Sequence, residues 1–352
     1  MSAPAAGRLQ QFASSGGARI VQISLPEFPG LWGYVYLVHV EGGPYWTLID
    51  SGSGFGESNA ELARGVQAAF ALLGRPGAGF ADLTHILITH AHIDHFGGLG
   101  FIRPQTQARL GVHELDLRVL TNYEERLAVV GRRLDIFLTE AGISPEKRAG
   151  LLETYRITKS LHRSVRVDFT YEAIGMRLGP FEFFHTPGHC AGHCVIRLHD
   201  VLFSGDHVLE DTSPHQSPEH VTLSTGLEHY LRSLQTLSEW AGGTVRLTLG
   251  GHKAPITDLS GRIEAIRAGH RQRLQKVLDI LDEPHTVSEV SRALFGEVHG
   301  YTVLLALEEA GAHVEYLYQR GLLGIENLAE LEASSAAIAL RYRCLPCRPE
   351  LG

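Results

Sequence analysis

Thr89-His90-Ala91-His92-Ile93-Asp94-His95-Phe96-Gly97-Gly98 places three imidazoles and one carboxylate within six residues, straight after the apolar run Ile86-Leu87-Ile88. A short apolar run of this kind reads as a buried strand, so the polar segment begins at a strand end. Neutral imidazoles and a carboxylate are good ligands for a borderline divalent ion. A tight turn there aims His90 and His92 at one point, and Asp94 and His95 at a second point nearby. One ion cannot easily take all four from so short a loop, so the spacing indicates two. Gly97 and Gly98 allow close backbone packing behind the loop.

Two ions need further ligands, and three later stations offer them, each at the end of a β-like stretch. His189 lies in Thr186-Pro187-Gly188-His189-Cys190-Ala191-Gly192-His193. Asp206 lies in Phe203-Ser204-Gly205-Asp206-His207, and His252 follows Gly250-Gly251. The two oxygens of an aspartate can bridge two cations. The assembled site is then His90, His92 and His189 on one ion, with Asp94, His95 and His252 on the other and Asp206 between them. A lone histidine is more often a packed or surface residue. It is the order of all seven that carries the reading.

That order resembles the metallo-β-lactamase superfamily over roughly residues 18–260. The resemblance implies an α/β fold, an αββα sandwich with a binuclear site between its two sheets. It also implies that Asp50, in Leu48-Ile49-Asp50-Ser51-Gly52, supports the site from behind, since ligating imidazoles need an acceptor on their other nitrogen. His92 stands where the di-iron flavoprotein branch has Glu, and Asp206 where zinc β-lactamases have Cys, which argues against both activities. Thr186 to His193 resembles the glyoxalase II pattern, in which His193 lies near the site as a supporting or substrate-facing group. We therefore take Asp94 and His193 as the candidate catalytic side chains. Asp94 would orient the attacking hydroxide or receive its proton. Cys190 and Cys194 read as small core residues.

Outward from the site, residues 18–50 read as three short strands and 58–73 as an amphipathic helix. Residues 113–163 are helical and charged, an expected insertion whose helices, with the loop at 211–224, would roof the pocket. Tyr123, Tyr155, His215 and His220 could meet substrate there. A helix is expected at 227–240 and a strand at 245–249. From about 260 the chain turns helical, with a capping-box signature at Thr286-Val287-Ser288-Glu289. The stretch 306–323 adds a helix and a small wing. This tail resembles that of the lactamase-like β2 group, whose winged-helix-like tail accompanies single-strand endoribonucleases as well as other hydrolases. The expected division is a flexible N-terminus at 1–17, a catalytic domain at 18–260, a helical subdomain at 261–335 and a tail at 336–352.

Composition bounds the function. The chain has 352 residues, a formal net charge of −8 and 20 histidines. It has no apolar run long enough to span a membrane and no signal-peptide pattern at its start, and a cytoplasmic location is expected. Four cysteines are too few for a disulfide framework in a chain of this length, and Cys344-x-x-Cys347 alone is half a zinc site at best. Residues 261–330 hold 7 Lys or Arg against 11 Asp or Glu. A nucleic-acid reader should leave a basic footprint, so this tail reads as a lid or dimerisation element, with a homodimer allowed.

Two dications lower the pKa of a shared water, so that hydroxide exists near neutral pH to attack an electrophilic carbonyl or phosphorus. The expected function is a dinuclear metal-dependent hydrolase of a small thioester, ester or lactone. Zn is the expected metal, and Mn or Fe suits the same shell. The alternatives are a metal-dependent endoribonuclease on single-stranded RNA and a mononuclear iron persulfide dioxygenase.

Overall fold

The computed structural model describes residues 8–160 and 162–346. Its first sheet is β1 (Leu9–Ala13), β2 (Arg19–Phe28), β3 (Leu31–Val40), β4 (Tyr45–Ile49), β5 (His85–Leu87), β6 (Arg109–Val112) and β7 (Phe169–Thr170), side by side in that order. The second comprises β8 (Arg177–Leu178), β9 (Phe181–His185), β10 (Cys194–Leu198), β11 (Val201–Gly205) and β12 (Leu247–Gly250), ordered β12-β11-β10-β9-β8. A two-stranded sheet pairs β13 (Leu323–Ile325) with β14 (Tyr342–Cys344). The helices are α1 (Ser58–Leu72), α2 (Ile93–Phe96), α3 (Leu99–Ile102), α4 (Glu114–Thr121), α5 (Tyr123–Glu140) and α6 (Pro145–Lys159). They continue with α7 (Leu227–Ala241), α8 (Leu259–Ile280), α9 (Val287–Phe295), α10 (Thr302–Gln319) and α11 (Leu328–Ala333).

The chain packs as two compact units: residues 8–123, 162–214 and 233–263 form the first, and residues 124–160, 215–232 and 264–346 the second. In the first, the inner faces of the two large sheets meet. Ile20, Val38, Ile49 and Leu87 from one sheet share a core with Phe181, Ile196, Val201 and Phe203 from the other. Tyr36 meets Phe203 edge-on at 5.2 Å and Tyr171 stacks on Phe183 at 3.9 Å. Each such buried side chain contributes about 1.5–3 kcal/mol of transfer free energy. The outer faces are also covered. Helix α1 buries Leu62, Val66, Ala69 and Phe70, and Phe70 stacks on Trp46 of β4. Trp240 of α7 stacks on Phe184 of β9. Strands covered on both faces read as continuous apolar runs, which is why Val35–Val38 and Ile86–Ile88 are legible as strands. The layers are those of an αββα sandwich.

Strands β4, β5 and β6 run parallel, as do β11 and β12. Their carboxyl ends release the loops that begin at Asp50, Thr89, Asp206 and Gly251. Open α/β sheets collect ligands at such ends.

The second unit takes α6, α9, α10 and β13–β14 whole, with nearly all of α5. The capping box is present: Glu289 N donates to Thr286 Oγ1 at 3.3 Å and Thr286 N to Glu289 Oε2 at 2.8 Å. After α10, β13 and β14 pair antiparallel with α11 between them in sequence, so the small sheet lies beyond the 306–323 stretch in which a wing is expected.

Three boundaries differ from the sequence reading. Residues 9–13 are not part of a flexible N-terminus but an edge strand on β2, held because Phe12 packs against the sandwich core. The helical segment does not fall in one place: α4 lies in the first unit, whereas Ala141 O accepts from Ser288 N and Glu140 O from Leu340 N within the second. The span 336–352 is not wholly a tail, since Tyr342–Cys344 pairs with β13 and Cys344 N donates to Leu281 O. Cys347 lies outside the described residues.

Candidate metal centre

The turn after β5 is built from close backbone contacts. A Cβ at Gly97 would lie 2.1 Å from Ser53 O, and one at Gly98 2.0 Å from Ser51 O, so no side chain fits at either position. Ser51 N donates to His95 O and Gly98 N to Gly52 O, which seats the short helix α2 on the loop after β4. This presents His92, Asp94 and His95 on one rim.

The seven side chains named from the sequence come together in two groups. Ligand atoms of His90, His92 and His189 lie within 4.8 Å of one another, as do those of Asp94, His95, Asp206 and His252. Within the first group His92 Nδ1 is 2.9 Å from His189 Nε2. Within the second, Asp94 Oδ2 is 3.4 Å from His252 Nε2 and Asp206 Oδ1 is 3.4 Å from His95 Nε2. Asp206 reaches both groups, because its Oδ2 lies 3.7 Å from His189 Nε2 and 3.6 Å from His252 Nε2.

Polar atoms in this cluster lack the partners that burial demands. His90 Nε2, His95 Nε2 and Asp206 Oδ1 are buried and make no hydrogen bond. Buried polar atoms are rarely left so, because each costs about 1–3 kcal/mol. A cation among these atoms satisfies all three, so the residues present fit the divalent ions that the ligand pattern implies.

The other ring nitrogens are spoken for. His95 Nδ1 donates to Asp50 Oδ2 at 2.8 Å, and His252 Nδ1 to Trp32 O at 2.6 Å. Asp50 Oδ1 also accepts from Thr89 N at 2.7 Å. Asp50 adopts a left-handed backbone with φ 60°, which aspartate tolerates better than most residues and which marks a built site. Asp50 thus lies behind His95, hydrogen-bonded to its ring and to the Thr89 amide.

The electrostatics differ across the two groups. Burial, joined by the neighbouring His95 and His92, holds His90 well below the usual histidine range. Burial would also lower His252, but Asp206 and Asp94 outweigh it and push it up to about 9. Burial likewise opposes a proton on His95, yet Asp206, Asp50 and Asp94 raise it well above its ordinary value. One side therefore offers bare nitrogens and the other a surplus of negative charge, and a cation site needs both.

The remaining candidates are placed differently. His193 does not face outward: it is fully buried, its Nδ1 2.8 Å from Thr186 Oγ1 and its Nε2 accepting from Asp206 N. Cys194 belongs to the sandwich core, whereas the Cys190 thiol lies 3.3 Å from both oxygens of Asp116 and is more than a space-filler. Tyr123 is buried against Phe96 and His162. Tyr155, His215 and His220 belong to the second unit, where His215 pairs with Glu308 and His220 with Glu315. Three residues outside the sequence-based candidates also act on the site: Asp116 through its carboxylate on two backbone amides, Thr89 through its hydroxyl on Asp50 and His90, and Trp32 through its carbonyl on His252. Nothing in the local sequence around Asp116 marks it as buried or as a partner of the site.

With the site's geometry in view, the likeness to known proteins is coherent. The profile of the metallo-beta-lactamase superfamily matches residues 30–259. A probable metallo-hydrolase of Bacillus subtilis (strain 168), YqjP, is 27% identical over 297 residues, covering 80% of this chain and 86% of its own. A hydroxyacylglutathione hydrolase of Shewanella baltica (strain OS195) is 30% identical over 124 residues, 35% of this chain and 33% of its own. Among solved structures, a metallo-beta-lactamase family protein of Thermus thermophilus superposes with a TM-score of 0.71 at 27% identity, covering 93% of this chain and 98% of that one.

Proposed function

The chain belongs to the metallo-beta-lactamase superfamily, and from that premise we propose that this metal-dependent hydrolase uses two divalent ions, Zn in the first instance, to cleave a small thioester, ester or lactone. The observation that carries the proposal is the pair of adjoining ligand groups with Asp206 reaching both. Two bound dications would supply a water acidified toward neutral pH and a positive field for the developing oxyanion.

The chain's own residues divide the rest of the work. His90, His92 and His189 would hold one ion, Asp94, His95 and His252 the other, and Asp206 both. The side chain of Asp94 is the more exposed of the two ligating carboxylates, at 17% against 12% for Asp206. Its carboxylate would take the proton of the attacking water and return it to the leaving group. His193 acts on Asp206 through the backbone amide and is a positioning residue. Asp50 fixes the tautomer and orientation of His95.

Two features support a small acyl substrate. Residues 261–330 carry a net charge of −4, which opposes a polyanionic chain. One relative is named a hydroxyacylglutathione hydrolase, so an acyl thioester is the first class to try. The test is a panel of thioesters, esters, lactones and single-stranded RNA oligomers, run on metal-replete and chelator-stripped full-length protein. Turnover of an acyl substrate that vanishes on stripping and returns with Zn is expected. Undiminished activity after stripping, or faster cleavage of RNA than of any acyl compound, contradicts it.

A further inference from the structure

We infer that Asp116 is a positioning residue that holds His92 and His189 at ligating distance, so that its loss weakens one ion of the pair before the other. This rests on the binuclear reading above. Asp116 is fully buried in the first turn of α4. Its Oδ2 accepts from Ala91 N at 2.8 Å, and Ala91 is the residue between His90 and His92. Its Oδ1 accepts from Gly192 N at 2.9 Å, in the loop that carries His189. The Cys190 thiol, next to His189, lies 3.3 Å from both oxygens. One carboxylate thus joins the two loops whose imidazoles approach to 2.9 Å.

The approach is too close for a side chain at position 192. A Cβ on Gly192 would lie 2.5 Å from Asp116 Cγ and 2.6 Å from Asp116 N. The same loops are also tied at their bases, where Cys194 N donates to Thr89 O. The four-membered group rests on different supports: Asp50 on His95, and the Trp32 carbonyl on His252. Asp50 also touches the three-histidine group through Thr89, whose Oγ1 lies 3.1 Å from His90 Nδ1. The contacts peculiar to Asp116 are those that set His92 against His189.

Amide-to-carboxylate bonds of this kind are stronger than neutral ones, and outer supports of metal ligands typically govern affinity by about 10–100-fold. Asp116→Ala removes both bonds. Asp116→Asn keeps one oxygen for one of the two amides and places an NH2 group against the other. Gly192→Ala leaves the charge in place and displaces the loop.

The experiment is titration of metal-depleted full-length protein with Co2+ alone, against a chromophoric chelator, recording affinity, stoichiometry and the d–d absorption bands. Circular dichroism and the thermal midpoint of each variant report whether it is folded. Wild type is expected to take up about two ions. Folded Asp116→Ala should lose about 10–100-fold in affinity for one ion while the other holds, with Asp116→Asn intermediate and Gly192→Ala matching Asp116→Ala. Wild-type affinity for both ions in the folded Asp116 variants overturns the inference, as does equal weakening of both. A wild type that takes up no ion overturns the binuclear reading itself, and its own titration shows this.

Discussion

Two histidine clusters in this chain use the same residue types to opposite ends. The strand-end cluster of the first unit gathers five imidazoles around Asp94 and Asp206, with Asp50 behind them. Among the described residues no lysine or arginine pairs with those three carboxylates, and several ring and carboxylate atoms have no hydrogen-bond partner. In the second unit, His270, Glu309 and His313 also bring three ligand atoms within 4.8 Å. There the carboxylate is already satisfied. Glu309 Oε1 accepts from Arg273 at 2.7 Å and Oε2 from Gln216 N at 2.8 Å, and His215 Nδ1 is 3.7 Å away. His313 Nδ1 donates to Glu309 O at 2.7 Å, which leaves its Nε2 to accept from His270 Nδ1 at 3.1 Å. This is a relay of hydrogen bonds running one way, with Arg273 neutralising Glu309. Composition and proximity do not make a metal site. The carboxylates decide it: His270 Nε2 is also buried without a hydrogen-bond partner, yet Glu309 is neutralised by Arg273, whereas Asp94 and Asp206 have no such cation among the described residues.

The sharpest break between the clusters should come from Asp206→Ala. Removing a ligand that reaches both groups forfeits several kcal/mol of charge stabilisation, so acyl hydrolysis should fall by about 100-fold or more and bound metal with it. Steady-state rates and elemental analysis check this. An active, metal-replete variant would remove Asp206 from the centre.

His313→Ala should do the reverse. It strands a buried N–H and opens a cavity, at a cost of about 2–4 kcal/mol read from urea unfolding, with ion uptake unchanged. A drop of one bound ion would erase the contrast.

Asp50→Ala should lower metal affinity at the Asp94–His95–Asp206–His252 group by about 10–100-fold, measured by chelator competition. Loss confined to the three-histidine group would move that support elsewhere.

The last effect is a pH dependence. Burial first, then the neighbouring His313, lowers the His270 pKa to about 3 from 6.5, against partial compensation from Glu309, while Arg273 lowers it further. The unfolded chain therefore binds a proton that the folded chain refuses between about pH 3 and 6.5. Stability rises with pH across that window and is lost as pH falls through it, by at most about 1.4 kcal/mol per pH unit for this one proton. A His270→Leu variant should show a shallower acid limb in unfolding midpoints between pH 4 and 6.5, and an unchanged limb would assign the dependence to other groups.

The contrast also explains what was legible in sequence. His90 to His95 form a contiguous run, and His189, Asp206 and His252 each follow a β-like stretch, so pattern alone picks all seven. Asp50 needed the resemblance, because an aspartate before Ser-Gly equally reads as a turn. Asp116 was invisible: one carboxylate in a charged helical stretch carries no mark of burial, and its partners come from loops 25 and 76 residues away in sequence. β1 was hidden by its Ala-, Ser- and Gly-rich flanks. The makeup of the second unit was hidden as well, since segments 124–160, 215–232 and 264–346 are joined by packing that no local pattern records. The His270 cluster shows the converse hazard, a ligand-like set whose neutralising arginine, Arg273, lies one turn along α8 from His270 and whose amide, Gln216 N, comes from a distant loop.

The most direct measurement is an anomalous difference map at the zinc edge from crystals of the full-length, zinc-loaded protein. Two peaks are predicted, one among His90, His92 and His189 and one among Asp94, His95 and His252, with Asp206 touching both and no density at His270, Glu309 and His313. A peak at that second cluster would contradict the contrast drawn between the two, and fewer than two peaks among the seven strand-end side chains would contradict the binuclear centre proposed for this fold.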